Sequence, residues 1–213
     1  MTPGSKSQSY GTALVLDSDV LHKAPKVRLC DFNNTWFRRG KPRIVEGMWV
    51  ITSALFVASR LPGSLHRRVH LRLFGARIGK RVVIKPGVRI KFPWKISIGS
   101  DSWIGESVWI DNLDSVEIGG NCCLSQSAYI CTGSHDWRSP SFDLLTKPVT
   151  IADCAWIAAR ACIAPGVAAG EGAVLAMGSV ATSNLTPWGV YQGVPAKLVK
   201  QRILDETARV VSA

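Results

Sequence analysis

The chain lacks the apolar run of a membrane span, since no stretch reaches the 18 or more residues that a bilayer core needs. No secretory leader is expected. The first residues, Met1-Thr-Pro-Gly-Ser-Lys-Ser, have no apolar core, and Asp17 and Asp19 follow early. It lacks any CxxC pair. Of its six cysteines, Cys122 and Cys123 adjoin, while Cys30, Cys131, Cys154 and Cys162 are scattered. That spacing excludes a zinc ribbon or a redox dithiol. It suits free thiols filling small packing sites in a reducing compartment. A soluble cytoplasmic protein is expected.

What remains is one domain with a small appendage: 213 residues, 46% hydrophobic and 19% charged, neither a disordered tail nor a coiled coil. The net charge of +11 is uneven. Residues 1–100 hold 19 Lys/Arg against 4 Asp/Glu, and residues 101–213 hold 7 against 11. A basic half suits nucleic acid, an anionic membrane or phosphorylated substrates. Nucleic acid is set aside because no binding motif accompanies the charge.

Residues 1–43 are polar with little periodicity and read as an extended arm anchored by Trp36 and Phe37. Residues 44–74 read as helical. Gly47 to Ala58 is free of charge, Arg60-Leu-Pro-Gly makes a break, and His66-Arg-Arg-Val-His70 follows. Such a segment packs on protein or lies on a bilayer surface, and the residues leave both open.

From residue 75 to 190 an aliphatic residue recurs every six positions. One series runs Ile78, Ile84, Ile90, Ile96. Others run Ile98, Ile104, Ile110, then Ile118, Leu124, Ile130, then Ile151, Ile157, Ile163 and on through Leu175. The residue two before is small, as at Ser102, Cys122, Ala128, Ala155, Ala161 and Ala173. A period of six fits neither an α-helix nor a hairpin sheet, but it fits a parallel β-helix whose three short faces make a coil of about 18 residues. The small residue is expected where the chain turns. Each coil buries its row against the next, and each buried Ile or Leu contributes about 1.5–3 kcal/mol.

The repeat breaks at residues 131–148, where Pro140 and Pro148 with several Ser and Asp mark an extruded loop. His135 begins it and is the only histidine of the repeat region. An imidazole at the edge of a rigid scaffold suits general-base work on a hydroxyl. Asp136 is next in sequence and points the other way in extended chain, so a backbone carbonyl or another carboxylate is expected to orient the ring. Metal-dependent hydration needs several histidines; His66 and His70 lack a third ligand, so no metal is expected.

Ile130-Cys-Thr-Gly-Ser-His-Asp-Trp, Lys147-Pro-Val-Thr-Ile-Ala-Asp-Cys-Ala-Trp-Ile-Ala-Ala-Arg-Ala-Cys-Ile-Ala-Pro-Gly-Val and Gly193-Val-Pro-Ala-Lys resemble the hexapeptide-repeat acyltransferases. Within them the chain is similar to the colanic acid biosynthesis acetyltransferase group over about residues 30–203. The resemblance implies an all-β left-handed β-helix, with a closing segment and C-terminal helix over 191–213. It implies transfer of acetyl from acetyl-CoA to a hydroxyl of a saccharide, as in polysaccharide biosynthesis, by direct attack with His135 as general base. The alternative acceptor is a small natural product, an antibiotic or an amino sugar.

By the same resemblance Trp156 lines the pantetheine channel, and Ala158 and Ala159 meet the coenzyme with backbone groups alone. Lys197, Lys200 and Arg202 replace a basic residue that relatives carry near Ser183. Asp111 and Asn112 hold the acceptor, with Asp136 and Trp137 beside them. The partners implied are a homotrimer with sites between subunits and the acceptor itself. Contact with the inner face of the membrane stays open for residues 44–74.

Overall fold

A computed structural model describes residues 26–205. Three stacks of short parallel strands form the three faces of a prism. The first face stacks Ile78, Ile98, Ile118, Ile151 and Ala169; the second stacks Ile84, Ile104, Leu124, Ile157 and Leu175; the third stacks Ile90, Ile110, Ile130, Ile163 and Ala181. All fifteen of these side chains are buried.

The small residues two positions before are buried too: Ser102, Val108, Ala128, Ala155 and Ala173 have no exposed surface to speak of. They point into the prism beside the aliphatic row, because residues i and i+2 of a strand share a face. The turns fall one residue earlier than expected. Arg81, Asp101, Asn121, Cys154 and Gly172 hold positive φ at one corner, and Gly87, Ser107, Ser127, Arg160 and Gly178 do so at the next.

The third corner differs. The first two coils are 20 residues long, as Val83 pairs with Trp103 and Trp103 with Cys123, whereas Trp156 pairs with Val174 after 18. The extra residues sit where the third face returns to the first. A 3₁₀ turn at Pro93–Lys95 widens the first coil, residues 112–115 widen the second, and the loop at 131–148 is the third member of that stack. Only in the fourth coil does a single left-handed glycine, Gly166, make this corner.

Two helices, α1 (Arg43–Phe56) and α2 (Leu65–Leu73), close the N-terminal end of the prism. Trp49 donates its indole N–H to the Ile90 carbonyl (3.0 Å), and Ser64 Oγ bonds both N and O of Ile84 (3.0 Å each). The helices thus satisfy polar groups on an otherwise open sheet edge. His70 belongs to this packing: it stacks on Trp49 and bonds Thr52 Oγ1 at 2.9 Å.

Of the expected arm, residues 1–25 lie outside the described residues. The remainder runs along the widened corner. Arg28 N–H donates to the Pro140 carbonyl (2.7 Å), Phe32 meets His135, and Phe37 packs on Phe92 under the Lys95 ammonium. Phe37 anchors the arm; Trp36 is exposed and only edges against Phe37.

At the other end, the stretch expected to be helical is a strand. Gly189–Gln192 adds to the second face in parallel, and Lys197–Gln201 folds back on it antiparallel. A hairpin covers the last sheet edge with ladder hydrogen bonds, which a helix here would leave unpaired. Residues 206–213 of the expected helix lie outside the described residues. The cysteines also depart from expectation, because only Cys122 is buried and Cys30 is exposed.

Candidate functional site

His135 ends the strand Gly133–His135, which pairs antiparallel with Leu144–Thr146 in a hairpin standing off the prism. At the base of the hairpin Leu113 lies against Gly133, where an added Cβ would come within 2.5 Å of its Cδ1, so a side chain at 133 would force Leu113 to move. His135 Nδ1 lies 2.8 Å from the Phe142 carbonyl. A carbonyl only accepts, so Nδ1 carries the proton and Nε2 holds the free lone pair. The Phe142 ring stacks on the imidazole at 4.3 Å and 9°. Phe32 adds a tilted contact at 5.8 Å.

The Phe142 carbonyl is aimed by its own turn. Phe142 has φ +53°, a conformation that costs a non-glycine residue about 1–2 kcal/mol. Ser139 Oγ and Ser141 Oγ both donate to the Asp143 carboxylate (2.8 and 2.7 Å), which fixes the flanking chain. The orienting group expected for His135 is therefore a backbone carbonyl.

Asp136 does not face the ring. Its carboxylate takes the Arg138 backbone N–H and guanidinium (both 3.0 Å from Oδ1), and that pairing holds it below the usual carboxylate range. Trp137 is 77% exposed at the loop tip. Neither has a partner that ties it to the imidazole.

Below the hairpin, on the third face, Asp111 lies beside Cys131 in register. Lys91 Nζ approaches its Oδ1 at 3.3 Å, and the Tyr129 hydroxyl donates to Oδ2 at 3.4 Å. Burial first, then the neighbouring Cys131 and Asp111, pushes the Tyr129 phenol up, so it stays a donor. Trp109 packs on Tyr129 at 4.8 Å under the Arg89 guanidinium. The wall thus offers aromatic faces, a carboxylate and two cations within reach of the hairpin base, where Thr132 N–H and Oγ1 both bond the Asp111 carbonyl.

Asn112 is not part of that wall, contrary to expectation. It has no exposed surface; its Oδ1 accepts from the N–H groups of Lys91 and Phe92 (3.1 and 3.0 Å), and its Nδ2 donates to the Phe92 carbonyl (2.7 Å). It fastens the first widened corner to the second and has nothing left for an acceptor.

On a different face a groove of about 880 Å³ opens. Trp156, Ala158, Ala159, Lys200 and Arg202 line it together, with Ser125, Gln126, Met177 and Val190. Trp156 is half-exposed and its indole N–H donates to Ser125 Oγ (2.9 Å), which sets the ring plane. Ala158 is buried and its N–H goes to the Leu175 carbonyl (2.9 Å), so it has no amide to offer; Ala159 presents the backbone there. Arg202 donates to the carbonyls of Cys154 and Gly172 (2.8 and 3.1 Å), which commits one nitrogen to the coil. Lys197 pairs with Gln192 and Lys200 with Val190, two residues apart, so both lysines leave one side of the strand. Only Lys200 reaches the groove lining.

His135 does not line this groove. The imidazole stands at the corner between the third and first faces, and the groove lies on the second. Sequence reading missed Phe32 and Phe142, which hold the imidazole, and Ser125, which holds the indole. Phe142 was findable only as an aromatic near the loop end, and Ser125 carries no signal beyond the repeat.

No family model matches the chain. It is 37% identical over 170 residues to the Escherichia coli K12 protein named "Putative colanic acid biosynthesis acetyltransferase WcaF", across 80% of this chain and 93% of that protein. It is 25% identical over 129 residues to the galactoside O-acetyltransferase of the same organism, across 59% of this chain and 64% of that protein. Among solved structures, a hexapeptide-repeat containing acetyltransferase from Vibrio cholerae superposes with a TM-score of 0.69 at 22% identity, over 76% of this chain and 94% of that one. A maltose O-acetyltransferase from Clostridium difficile 630 gives 0.70 at 23%, over 76% and 88%. The fold they share is the left-handed hexapeptide β-helix.

Proposed function

Because the chain belongs to the hexapeptide-repeat acyltransferases, in the colanic acid biosynthesis acetyltransferase group, we propose that it moves an acetyl group from acetyl-CoA to a hydroxyl of a saccharide or saccharide-containing precursor, with His135 as general base. The observation that carries the base assignment is the 2.8 Å bond from His135 Nδ1 to the Phe142 carbonyl, which leaves Nε2 as proton acceptor. Nε2 takes the proton of the acceptor hydroxyl as its oxygen attacks the thioester carbonyl carbon. The tetrahedral oxyanion collapses, the C–S bond breaks, and the imidazolium returns its proton to the departing CoA thiolate. No acyl-enzyme forms, and the cysteines take no part.

The acceptor sits against Asp111, Tyr129 and Trp109. A pyranose ring stacks its C–H face on an aromatic while its hydroxyls bond a carboxylate, and this wall supplies both. The groove with Trp156, Ala159 and Lys200 takes the pantetheine arm and a phosphate of acetyl-CoA.

In one protomer the base and the groove lie on different faces, so the active unit is a homotrimer in which the hairpin of one subunit meets the groove of its neighbour. A three-sided prism offers flat faces that pack around a threefold axis. Mixing tests both claims at once. His135→Ala and Trp156→Ala/Lys200→Glu are each strongly impaired alone. Unfolded and refolded together in equal amounts, they recover about a quarter of wild-type activity, the random share of sites with an intact base beside an intact groove. A mixture no more active than its parts, or a monomer by light scattering, sinks the shared site. Full activity of His135→Ala sinks the base.

A further inference from the structure

The helical cap presents an apolar surface that no part of the described chain covers. On α1, Ile44, Met48, Ile51 and Leu55 follow 4-3-4 spacing and so form one stripe, and all four are exposed, Ile51 at 67%. On α2, Leu65, Val69 and Leu73 form a second exposed stripe opposite the buried Arg67 and Leu71. Leu65, Val69 and Leu73 line a concavity with Phe56 and Pro62. An exposed apolar patch on this scale marks an interaction surface.

The turn between the helices is built to hold that surface open. Arg67 is fully buried, and its guanidinium donates to the carbonyls of Val57 (2.9 Å), Ser59 (2.6 Å), Leu61 (2.7 Å) and Gly63. With its carbonyls turned inward to one cation, the turn shows its exposed Leu61 and Pro62 side chains outward.

Charge selects the occupant. From Gly47 to Ser100 the chain has eleven Lys/Arg and no Asp/Glu. Arg60, Arg77 and Lys80 are exposed at this end of the prism; of the acids nearby, Glu46 is paired with Arg39 at 2.6 Å, Asp101 with Arg81 at 2.5 Å, and Glu117 lies 4.0 Å from Arg77. Two copies of this chain meeting through the cap would press cations against cations. An anionic bilayer supplies the opposite charge and accepts Leu, Ile and Phe between its headgroups. No helix among the described residues is long and apolar enough to cross a membrane.

We propose that α1, the Arg67-centred turn and α2 dock the protein end-on on an anionic lipid surface, the apolar stripes entering the interface and the surrounding cations pairing with headgroup phosphates. The His135 hairpin leaves the third coil, two strand spacings of ~4.8 Å from the first, so it stands on the order of 10 Å above the first coil, with the cap on the far side of that coil. Docking does not depend on which hydroxyl is acetylated.

The test uses the full chain and extruded vesicles of phosphatidylcholine, alone or with about one-third phosphatidylglycerol. The protein co-sediments with the anionic vesicles, and the bound fraction falls at least about fivefold with neutral vesicles or in 0.5 M salt. Ile51→Asp/Leu55→Asp, exposed positions whose folding is checked by circular dichroism, abolishes co-sedimentation while acetylation of a water-soluble acceptor is unchanged. Arg60→Glu/Lys80→Glu weakens binding to anionic vesicles only. Equal pelleting with and without vesicles overturns the proposal. So does a wild-type assembly that Ile51→Asp/Leu55→Asp splits into smaller ones, since a second copy then covers the stripe.

Discussion

The imidazole of His135 and the ring of Phe142 lie parallel at 4.3 Å while the Phe142 carbonyl holds Nδ1 at 2.8 Å, so one residue supplies both the stacking face and the tautomer lock. The two functions separate by mutation. His135→Ala lowers kcat by about 10²–10⁴-fold and leaves the Kd for acetyl-CoA, read by calorimetry, where it was. Phe142→Ala keeps the carbonyl but removes the stacking face, and kcat falls about tenfold with the acceptor KM little changed. Phe142→Gly relaxes the φ of +53° and frees the carbonyl to drift, so it costs more activity than Phe142→Ala despite removing strain. A Phe142→Gly enzyme as active as Phe142→Ala shows that the lock is not needed.

In the groove, Lys200 and Lys197 form an internal control. Both leave the same side of one strand, but only Lys200 lines the groove. Lys200→Ala raises the Kd for CoA about three- to tenfold and flattens its salt dependence, whereas Lys197→Ala does neither. Trp156→Ala weakens CoA by a similar factor through lost stacking. Ser125→Ala, which only frees the indole, has a smaller effect. Equal effects of the two lysine changes remove the phosphate role from the groove.

Asn112 and Asp111 adjoin but predict opposite phenotypes. Asn112→Ala leaves the Phe92 N–H without a partner in a buried corner and takes one bond each from the Lys91 N–H, which keeps the Ile110 carbonyl, and from the Phe92 carbonyl, which keeps the Lys95 N–H, at a cost of about 2–4 kcal/mol. A thermal melt shows it as a Tm lower by about 5–10 °C, with the acceptor KM unchanged well below the melt. Asp111→Ala leaves Tm within a few degrees and raises the acceptor KM about tenfold or more. Were Asn112→Ala to raise KM without touching Tm, the corner-staple role would be lost.

The repeat was legible because its physics is local: one inward aliphatic every six residues suffices to stack a coil, and Ile78 through Leu175 mark it without tertiary information. The loop was legible from Pro140, Pro148 and the missing aliphatic. What was not legible depends on coils far apart in sequence. Asn112 reads as turn chemistry until Phe92 is seen beside it, 20 residues away. The strand Lys197–Gln201 has an apolar-polar mix that suits a helix equally well, and it becomes a strand because the second face ends in an open edge. The Arg67 cage needs the turn folded around it before its four carbonyls exist as a set.

Cys122 gives the last prediction, and here the sign of a pH effect matters. Burial pushes its thiol up to about 11, so the folded state favours the protonated form more than the unfolded chain does. A raised acid contributes stability that is fully present below the unfolded value near 9 and is lost as pH rises through about 11. Wild type therefore loses on the order of 2 kcal/mol between those limits from this group. Tyr129, also raised by burial, acts in the same direction, so the contribution of Cys122 is read as the difference from Cys122→Ala, whose denaturation midpoint declines less steeply over that window. The same burial governs reactivity. At pH 8 Cys30, which is exposed, alkylates quickly, while Cys122 reacts only after unfolding. Acetyl transfer survives the alkylation of Cys30, as direct attack without a thiol nucleophile requires; an acetyl group found on a thiol by mass spectrometry after mixing with acetyl-CoA implies a covalent acyl-enzyme instead.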